Sequence, residues 1–210
     1  MSDLLALDVA ILPPPDVRDL AIRLSASLPA PQRAGALGTP PEADVDGLRL
    51  DEEHLPHVTL TQQFVRTVDL DRTFERLDDA LRGQRPLTLQ VTGGGTTHAS
   101  TVWMAIERTD ALASLHERLM ETLKGFEQVG GGAAAFVDGD ARTADLVWVA
   151  AFRVKSSFLS YTPHITLGHA REPPRIEPFV FEATTVAACH LGRFCTCRRV
   201  LREWRLSWSA

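Results

Sequence analysis

The pentapeptide Pro-His-X-Thr-Leu, with a β-branched residue at X, occurs twice in the chain. The first copy contains His57 and Thr59, and the second, about a hundred residues later, contains His164 and Thr166. One His-X-Thr is expected by chance about once in a chain of this composition. A matched pair that differs only by a Val/Ile exchange indicates two equivalent strands brought together around one site.

The residue types in the pentapeptide suit acid–base chemistry on a phosphate. Residues i and i+2 of a strand point to the same face, so each histidine projects beside its threonine while the apolar residues point to the opposite side. Histidine titrates near neutral pH, so one ring can be a general base while the other is a general acid. Threonine hydroxyls can hydrogen-bond the non-bridging oxygens of a phosphate. The pair therefore fits in-line phosphoryl transfer.

This chemistry calls for neither a metal nor another cofactor, because no carboxylate lies within either pentapeptide. Three cysteines, Cys189, Cys195 and Cys197, lie in one C-terminal stretch. Their odd number and the lack of a second cysteine pair favour reduced thiols in a cytoplasmic protein over a metal site.

The remaining histidines have no matching motif, and a lone histidine in a strand is more often structural than catalytic. We expect His116 on the surface of a helix. His54 and His169 lie near the motifs in sequence and could support the two catalytic rings. The others are His98 and His190.

The paired His-X-Thr-hydrophobic motifs resemble those of the two-histidine (2H) phosphoesterase superfamily, which includes 2′-5′ RNA ligase-like proteins and cyclic phosphodiesterases. The resemblance covers most of the chain. It implies an α+β fold with two pseudo-symmetric lobes, antiparallel or mixed sheets flanked by helices, and a central cleft. It also implies metal-independent opening of a 2′,3′-cyclic phosphate or a related 2′-5′ linkage, with His57, Thr59, His164 and Thr166 at the active-site positions.

The chain departs from the RNA-directed members of that superfamily in two ways. Gly168-His169-Ala170 follows the second motif where an arginine is often found, and Arg171 comes only afterwards. The net charge of -5 also argues against long nucleic acid, whose binding relies on neutralising many phosphates. We therefore expect a nucleotide or an RNA end as substrate. Tyr161 and Phe64, which flank the motifs, could stack on a base, although core packing explains Phe64 equally well.

The composition is that of an ordinary soluble globular protein, with 44% hydrophobic and 23% charged residues in a chain of 210. We expect one bilobal domain over residues 1–210. No apolar run approaches the roughly 20 residues that cross a bilayer, and the first residues lack the basic stretch of a signal peptide. Five arginines near the C-terminus fit a solvated face but are candidates for phosphate contact: Arg193, Arg198, Arg199, Arg202 and Arg205.

Apolar periodicity predicts the elements that position the motifs. Residues 145–154 fit a strand or a helix, and Gly93-Gly94-Gly95 fits a hairpin turn. Residues 130–135 fit a mobile loop, and residues 29–47, rich in Pro, Gly and Ala, fit a long loop. We predict strands at 4–12, 56–64, 87–91, 101–106, from 164, at 179–188 and at 200–208, and helices opened by Asp16, Asp69 and Asp110.

We interpret the chain as a phosphodiesterase that opens a 2′,3′-cyclic phosphate on a nucleotide or RNA end. Two alternatives remain open: a 2′-5′ RNA ligase or 2′-5′ phosphodiesterase using the same site, and a module that binds a nucleotide without turning it over. The sequence does not assign the acid and base roles to the two histidines.

Overall fold

The computed structural model describes residues 3–29, 47–97 and 101–208. The long loop predicted for residues 29–47 falls outside the described residues except at its two ends, and His98 also falls outside. No helix of the described ranges is long and apolar enough to cross a membrane.

Eight strands and four helices build the described chain. The strands are β1 (Leu4–Leu12), β2 (Val58–Arg66), β3 (Leu87–Thr96), β4 (Thr101–Ile106), β5 (His164–His169), β6 (Phe179–Ala183), β7 (Thr185–Leu191) and β8 (Cys197–Arg205). The helices are α1 (Pro15–Ser27), α2 (Leu70–Leu81), α3 (Asp110–Leu123) and α4 (Thr143–Lys155). The α+β fold class predicted from the sequence is confirmed.

The strands form two four-stranded sheets in which every pairing is antiparallel. The orders are β2-β1-β7-β8 and β5-β4-β3-β6. Each pentapeptide therefore lies on an edge strand, β2 in one sheet and β5 in the other. Because β2 and β5 also contact each other, the two edges bring the motifs together.

A strand–helix–strand unit occurs twice, which gives the fold its pseudo-symmetry. In the first unit β1 leads through α1 to β2, and in the second β4 leads through α3 to β5, with α4 inserted before the last strand. The helices cross over: α1 packs on β5, and α3 packs on β2. Each motif strand is therefore supported by the helix of the other unit. No longer repeat is apparent in the sequence because only the pentapeptides match.

The main core lies on one face of the sheets and is built from alternating apolar residues. In β1, Leu7, Val9 and Ile11 are fully buried in this core. The opposite face of β1 carries small residues, Ala6 and Ala10, and forms a second apolar cluster. Alternation along one strand thus separates a core of large side chains from a face with room for other groups.

The first three helices begin in different ways. Pro15 is the first residue of α1, where a missing N–H is tolerated. Helix α2 begins after Asp69, as predicted. Helix α3 was predicted to be capped by Asp110, but the cap is Thr109, whose side chain accepts a hydrogen bond from the Leu112 N–H.

Residues 145–154, ambiguous in sequence, are helical within α4. The backbone N–H of Arg142 donates to Asp145 Oδ2 at 2.9 Å, which caps the first turn. The single strand predicted for residues 179–188 is wrong. The chain breaks at Thr184, so that β6 joins one sheet and β7 the other.

The predicted hairpin turn at Gly93-Gly94-Gly95 is also wrong, because all three glycines lie inside β3. Gly93 has φ +147, which an L side chain rarely adopts. A Cβ on Gly95 would collide with the indole ring of Trp103, its partner across the β3–β4 ladder. The glycines therefore make room for neighbouring groups instead of reversing the chain.

The predicted mobile loop over residues 130–135 packs against the protein. Residues Ala133–Ala135 form a short 3₁₀ turn that contacts β1. Ala135 is buried in the second apolar cluster, and the space beside Gly131 is filled by the ring of Phe64. Small residues are therefore required at Gly131 and Ala135, while Gly130 and Gly132 border open space.

Candidate active site between two edge strands

Alternating burial along β2 and β5 confirms the orientation expected for the motifs. The apolar residues of each pentapeptide are fully buried: Val58 and Leu60 in the first, Ile165 and Leu167 in the second. The histidines and threonines of both copies are partly exposed. The polar side chains therefore share one partly open face over a rigid apolar backing.

Both motif histidines are held in the same way. The ring nitrogen Nδ1 of His57 lies 2.8 Å from the carbonyl of Leu55, and Nδ1 of His164 lies 2.8 Å from the carbonyl of Thr162. A carbonyl can only accept, so Nδ1 carries the proton in each ring. The nitrogen left to exchange protons with a substrate is Nε2 in both cases.

A buried carboxylate distinguishes the surroundings of His57. Asp8, in the middle of β1, is fully buried, and its Oδ2 lies 3.6 Å from His57 Nε2. The same oxygen accepts hydrogen bonds from Gln62 Nε2 at 2.7 Å and from Thr59 Oγ1 at 3.0 Å. Burial raises the pKa of Asp8, while the charge of His57 and these two hydrogen bonds oppose that shift.

A β-bulge makes this convergence possible. Thr59 and Gln62 are three residues apart, so in a regular strand they would point to opposite faces. The register of β1 and β2 shifts between Val9 and Ala10, which adds a residue on the β2 side. Both side chains can therefore reach Asp8.

His164 has a different environment. Burial lowers its pKa, and the nearby charge of His57 acts in the same direction. The indole of Trp103 lies beside it, with ring centroids 5.2 Å apart. Within the described residues His164 has no carboxylate at ion-pair distance, in contrast to His57. The site therefore pairs a ring beside an acid with a ring that favours the neutral form.

The two threonines also differ. The hydroxyl proton of Thr59 is donated to Asp8. Thr166 forms no side-chain hydrogen bond to any residue in the described ranges, and its side chain is partly exposed. Thr166 can therefore donate directly to a bound oxygen, whereas Thr59 would have to exchange its present partner.

Tyr161 and His116 connect the segments that carry the two motifs. The Tyr161 hydroxyl donates to the carbonyl of Thr59 at 2.9 Å, and its ring stacks on His116 with centroids 3.9 Å apart. His116 Nδ1 lies 2.6 Å from the carbonyl of Leu60, and its Nε2 accepts from the N–H of Phe158 at 2.9 Å. Tyr161 is therefore buried beneath the site, where its ring cannot stack on a base.

Burial corrects the expectation for His116, which was a helix surface. Its side chain is fully buried, and burial lowers its pKa. A buried imidazole is stable when both nitrogens have partners, and His116 has one for each. The sequence predicted that His116 lies on a helix. Its two hydrogen-bond partners, one carbonyl and one amide, depend on the tertiary fold.

Phe64 is not brought into the site as a base contact, whereas a phosphate contact by Arg171 stays a prediction. Phe64 is fully buried and packs edge-on against Phe136 at 6.0 Å, so it is a core residue. Arg171 is exposed beyond the end of β5. Trp103, which sequence reasoning did not select, is an aromatic residue that lies beside the motif histidine His164.

The C-terminal arginines proposed for phosphate contact are mostly engaged with carboxylates. Arg198 pairs with Glu53 at 3.3 Å and Arg202 with Asp78 at 2.6 Å. Arg193 and Arg205 likewise pair with Asp140 and Glu203. These pairs support the interpretation of a solvated surface.

The two histidines near the motifs have separate roles. His54 pairs with Asp51 at 2.8 Å, next to the strand that begins after His57. His169, at the end of β5, lies against the ring of Phe194 at 5.5 Å, and its buried Nδ1 has no hydrogen-bond partner within the described ranges. Neither contacts a motif histidine.

A sequence signal existed for one missed residue. Asp8 is the only charged residue in the apolar run Leu4–Leu12, and a carboxylate inside a buried strand needs partners. Its position beside His57 depends on the pairing of β1 with β2, which the sequence does not specify.

Comparison with known proteins agrees with this geometry. The sequence model of the 2′-5′ RNA ligase superfamily matches residues 37–199, and the chain belongs to that superfamily. No curated protein matches the chain.

Solved structures with the same fold cover nearly the whole chain. TT0787 of Thermus thermophilus is 17% identical with a TM-score of 0.57, covering 98% of this chain and 100% of its own. Escherichia coli LigT complexed with phosphate is 20% identical with a TM-score of 0.56, covering 98% and 99%. LigT complexed with NADP+ is 20% identical with a TM-score of 0.58, covering 97% and 99%. These likenesses confirm the 2H phosphoesterase type of fold.

Proposed function

We propose that the protein is a phosphodiesterase that opens a 2′,3′-cyclic phosphate on a nucleotide or RNA end, with His57 and His164 as general acid and general base. The observation that carries the proposal is the matched tautomer of the two rings, each with Nε2 left for proton exchange. Membership in the superfamily supports phosphoester chemistry, and the finer activity is our inference.

The unequal surroundings suggest which ring takes which role. His164, whose pKa is lowered by burial, accepts a proton from water as the water oxygen attacks phosphorus. The bond from phosphorus to one ribose oxygen breaks as the new bond forms. Protonated His57, beside the carboxylate of Asp8, gives its Nε2 proton to that ribose oxygen. The products are a phosphate monoester and a ribose hydroxyl, so protons and atoms balance.

Three side chains would hold the substrate. Thr166 donates to a non-bridging phosphate oxygen, and Thr59 joins it when its hydroxyl leaves Asp8. Trp103, beside His164, offers a face on which a base can stack. The chemistry needs no metal, because the two imidazoles supply both proton transfers.

A small or terminal substrate fits the charge of the protein. The net charge of -5 disfavours a long polyanion. Structures of LigT complexed with phosphate, with ATP and with 3′-AMP point to a nucleotide-sized ligand in this fold. We also propose that residues 1–210 act as one bilobal domain, since the site needs a strand from each sheet, and that the protein works in the cytoplasm with its three cysteines as free thiols.

A second candidate function uses the same residues on a different bond. The matching family is described by 2′-5′ RNA ligation, so a 2′-5′ ligase or 2′-5′ phosphodiesterase is the alternative reaction. The alternative from a different functional class is a module that binds a nucleotide without turning it over. Such a module would not need two rings that exchange protons.

A substrate panel separates these functions. The protein is incubated with 2′,3′-cyclic AMP, with 2′-5′ oligoadenylate and with tRNA halves, and the products are followed by phosphorus NMR and gel analysis with and without EDTA. We expect the cyclic phosphate to be converted to one monoester, with no loss of rate in EDTA. Joining of the halves or cleavage of oligoadenylate alone would favour the second candidate, and binding without product over hours would favour the module.

A further inference from the structure

A cluster of three metal-ligand types lies next to the proposed general acid. Asp8 comes from β1, His57 precedes β2, and Cys197 opens β8. A carboxylate oxygen, a ring nitrogen and the sulfur of these residues all lie within 4.8 Å of one another. Asp8 and Cys197 are fully buried, whereas the side chain of His57 is 12% exposed. Of the three side chains, that of His57 is therefore the one that meets solvent.

Backbone pairing fixes the position of Cys197 relative to His57. Leu55 bridges to Cys197, its N–H donating to the Cys197 carbonyl at 2.9 Å. The carbonyl of Leu55 in turn accepts from His57 Nδ1. One residue thus connects the cysteine backbone and the histidine ring, so their mutual approach is a built feature of the fold.

An unsatisfied polar atom points to a missing partner. Asp8 Oδ1 is buried and has no hydrogen-bond partner within the described residues, while Oδ2 accepts from Thr59 and Gln62. A buried carboxylate oxygen without a partner is costly. A cation coordinated by Asp8 would supply the missing interaction.

The donor set fits a zinc-like cation. Thiolate, imidazole and carboxylate are the usual protein ligands of Zn²⁺, and three of them leave a fourth tetrahedral position for water or a substrate oxygen. Metal–ligand bonds of about 2.1 Å place two ligands of one tetrahedron about 3.4 Å apart. The 3.6 Å between His57 Nε2 and Asp8 Oδ2 is close to that value, and the ligand atoms, which lie within 4.8 Å of one another, draw together on binding to complete the site.

We propose that Asp8, His57 and Cys197 bind Zn²⁺ or a similar thiophilic divalent cation, and that the bound ion switches off turnover. The second half rests on the proposed function, because the ion takes the Nε2 lone pair that proton transfer needs. Burial raises the pKa of the Cys197 thiol, so the thiol carries its proton before the ion binds. Binding forms the metal–sulfur bond and releases that proton to solvent.

Co²⁺ gives a readout of the site that does not depend on activity. Cobalt bound to a thiolate absorbs in the near ultraviolet by sulfur-to-metal charge transfer, and Zn²⁺ displaces it. We expect the band in the unaltered protein and in Cys195→Ser, the matched control, whose sulfur contacts the Asp145 carbonyl and is outside the cluster. We expect Cys197→Ser to lose the band and to bind Zn²⁺ more than about tenfold more weakly by calorimetry.

A second variant tests the site independently in case Cys197→Ser does not fold. His57→Ala keeps the cysteine and changes a partly exposed side chain, and it should also bind Zn²⁺ more than about tenfold more weakly. Absence of a charge-transfer band in the unaltered protein would overturn the proposed site. Unchanged Zn²⁺ affinity in both variants would overturn it as well.

Inhibition is measured on the cyclic phosphate. We expect Zn²⁺ to stop turnover in the unaltered protein and in Cys195→Ser, EDTA to restore it, and Cys197→Ser to require more than about tenfold more Zn²⁺. Turnover that continues while the band shows the site filled would overturn the switch. A protein that binds Zn²⁺ but never hydrolyses the substrate would refute the proposed function and leave the metal site standing, so the two failures are distinguishable.

Discussion

His57 and His164 carry the same backbone anchor but face different neighbours. Each ring donates Nδ1–H to a carbonyl two residues upstream, which fixes the tautomer. Asp8 lies beside the His57 ring, whereas burial lowers the pKa of His164. On this difference rests our proposal that His57 is the acid and His164 the base.

Leaving-group chemistry tests that assignment. A phosphodiester with p-nitrophenol as leaving group does not need a proton from a general acid. We expect His57→Ala to lose about 10²- to 10⁴-fold in rate on the cyclic nucleotide and to recover most of it on the p-nitrophenyl ester. His164→Ala should be slow on both substrates. The reverse pattern would exchange the two roles, which steady-state kinetics on both esters would reveal.

The two threonines should respond differently to loss of the hydroxyl. Thr166→Val removes a free donor, so we expect a rise in KM or a fall in kcat with little change in stability. Thr59→Val removes a hydrogen bond from buried Asp8, so we expect about 1–3 kcal/mol of lost stability as well. Urea unfolding and kinetics on both variants measure this. Equal stability losses in the two would contradict the asymmetry.

At the residue scale, the repeated motif in the sequence predicted which of its side chains face away from the core. Strict alternation in a strand makes that possible, since burial of Ile165 and Leu167 forces His164 and Thr166 to the other face. Asp8 was missed because its significance depends on which strand pairs with β1.

At the element scale, the connection between the motifs passes through α3. His116 on this helix holds the carbonyl of Leu60 in the first motif and the amide of Phe158 ahead of the second. Tyr161 stacks on it and reaches the carbonyl of Thr59. The helix of one unit therefore sets the distance between the two edge strands.

Removing one hydroxyl tests this connection. Tyr161→Phe keeps the stack on His116 but loses the hydrogen bond to Thr59, so we expect about 1 kcal/mol lower stability, or a Tm about 2–4 °C lower, with reduced kcat. Ser27→Ala is the control, because it removes an exposed hydroxyl bond to Leu24 at the end of α1. Calorimetry and kinetics that show equal effects in both variants would refute a role in alignment.

The sequence predicts helices that have a clear apolar stripe. It does not predict features that depend on which segments pack together in the fold. Helix α2 has Leu77 and Leu81 buried at helical spacing, and its position follows from sequence. The glycines of β3 were misassigned because their roles depend on neighbouring segments: Gly95, for example, makes room for Trp103 of the adjacent strand. The separation of β6 from β7 likewise depends on two different sheets.

For the whole molecule, buried histidines link stability to pH. Burial is the main cause of a lowered pKa in His116, His164, His169 and His190. The unfolded chain therefore binds more protons than the folded protein as pH falls below the ordinary histidine value of 6.5. Asp8 has a raised pKa and opposes this trend, since its proton binds more tightly in the folded state.

We expect the free energy of unfolding to fall as the pH is lowered from about 7.5 to about 5.5, because four histidines outweigh one carboxyl. Urea unfolding across this range measures the change. His116→Gln, which keeps a donor and an acceptor but cannot titrate, should flatten the curve. Stability that is constant or increases toward acid would contradict the burial of neutral histidines.

The central claim is that two opposed imidazoles act together on one phosphodiester. Its most direct measurement is the rate of 2′,3′-cyclic AMP hydrolysis, followed by phosphorus NMR, in the unaltered protein, His57→Ala and His164→Ala, with folding checked by circular dichroism. We predict one monoester product and a loss of about 10²-fold or more in each variant. Full turnover in either folded variant would contradict the account.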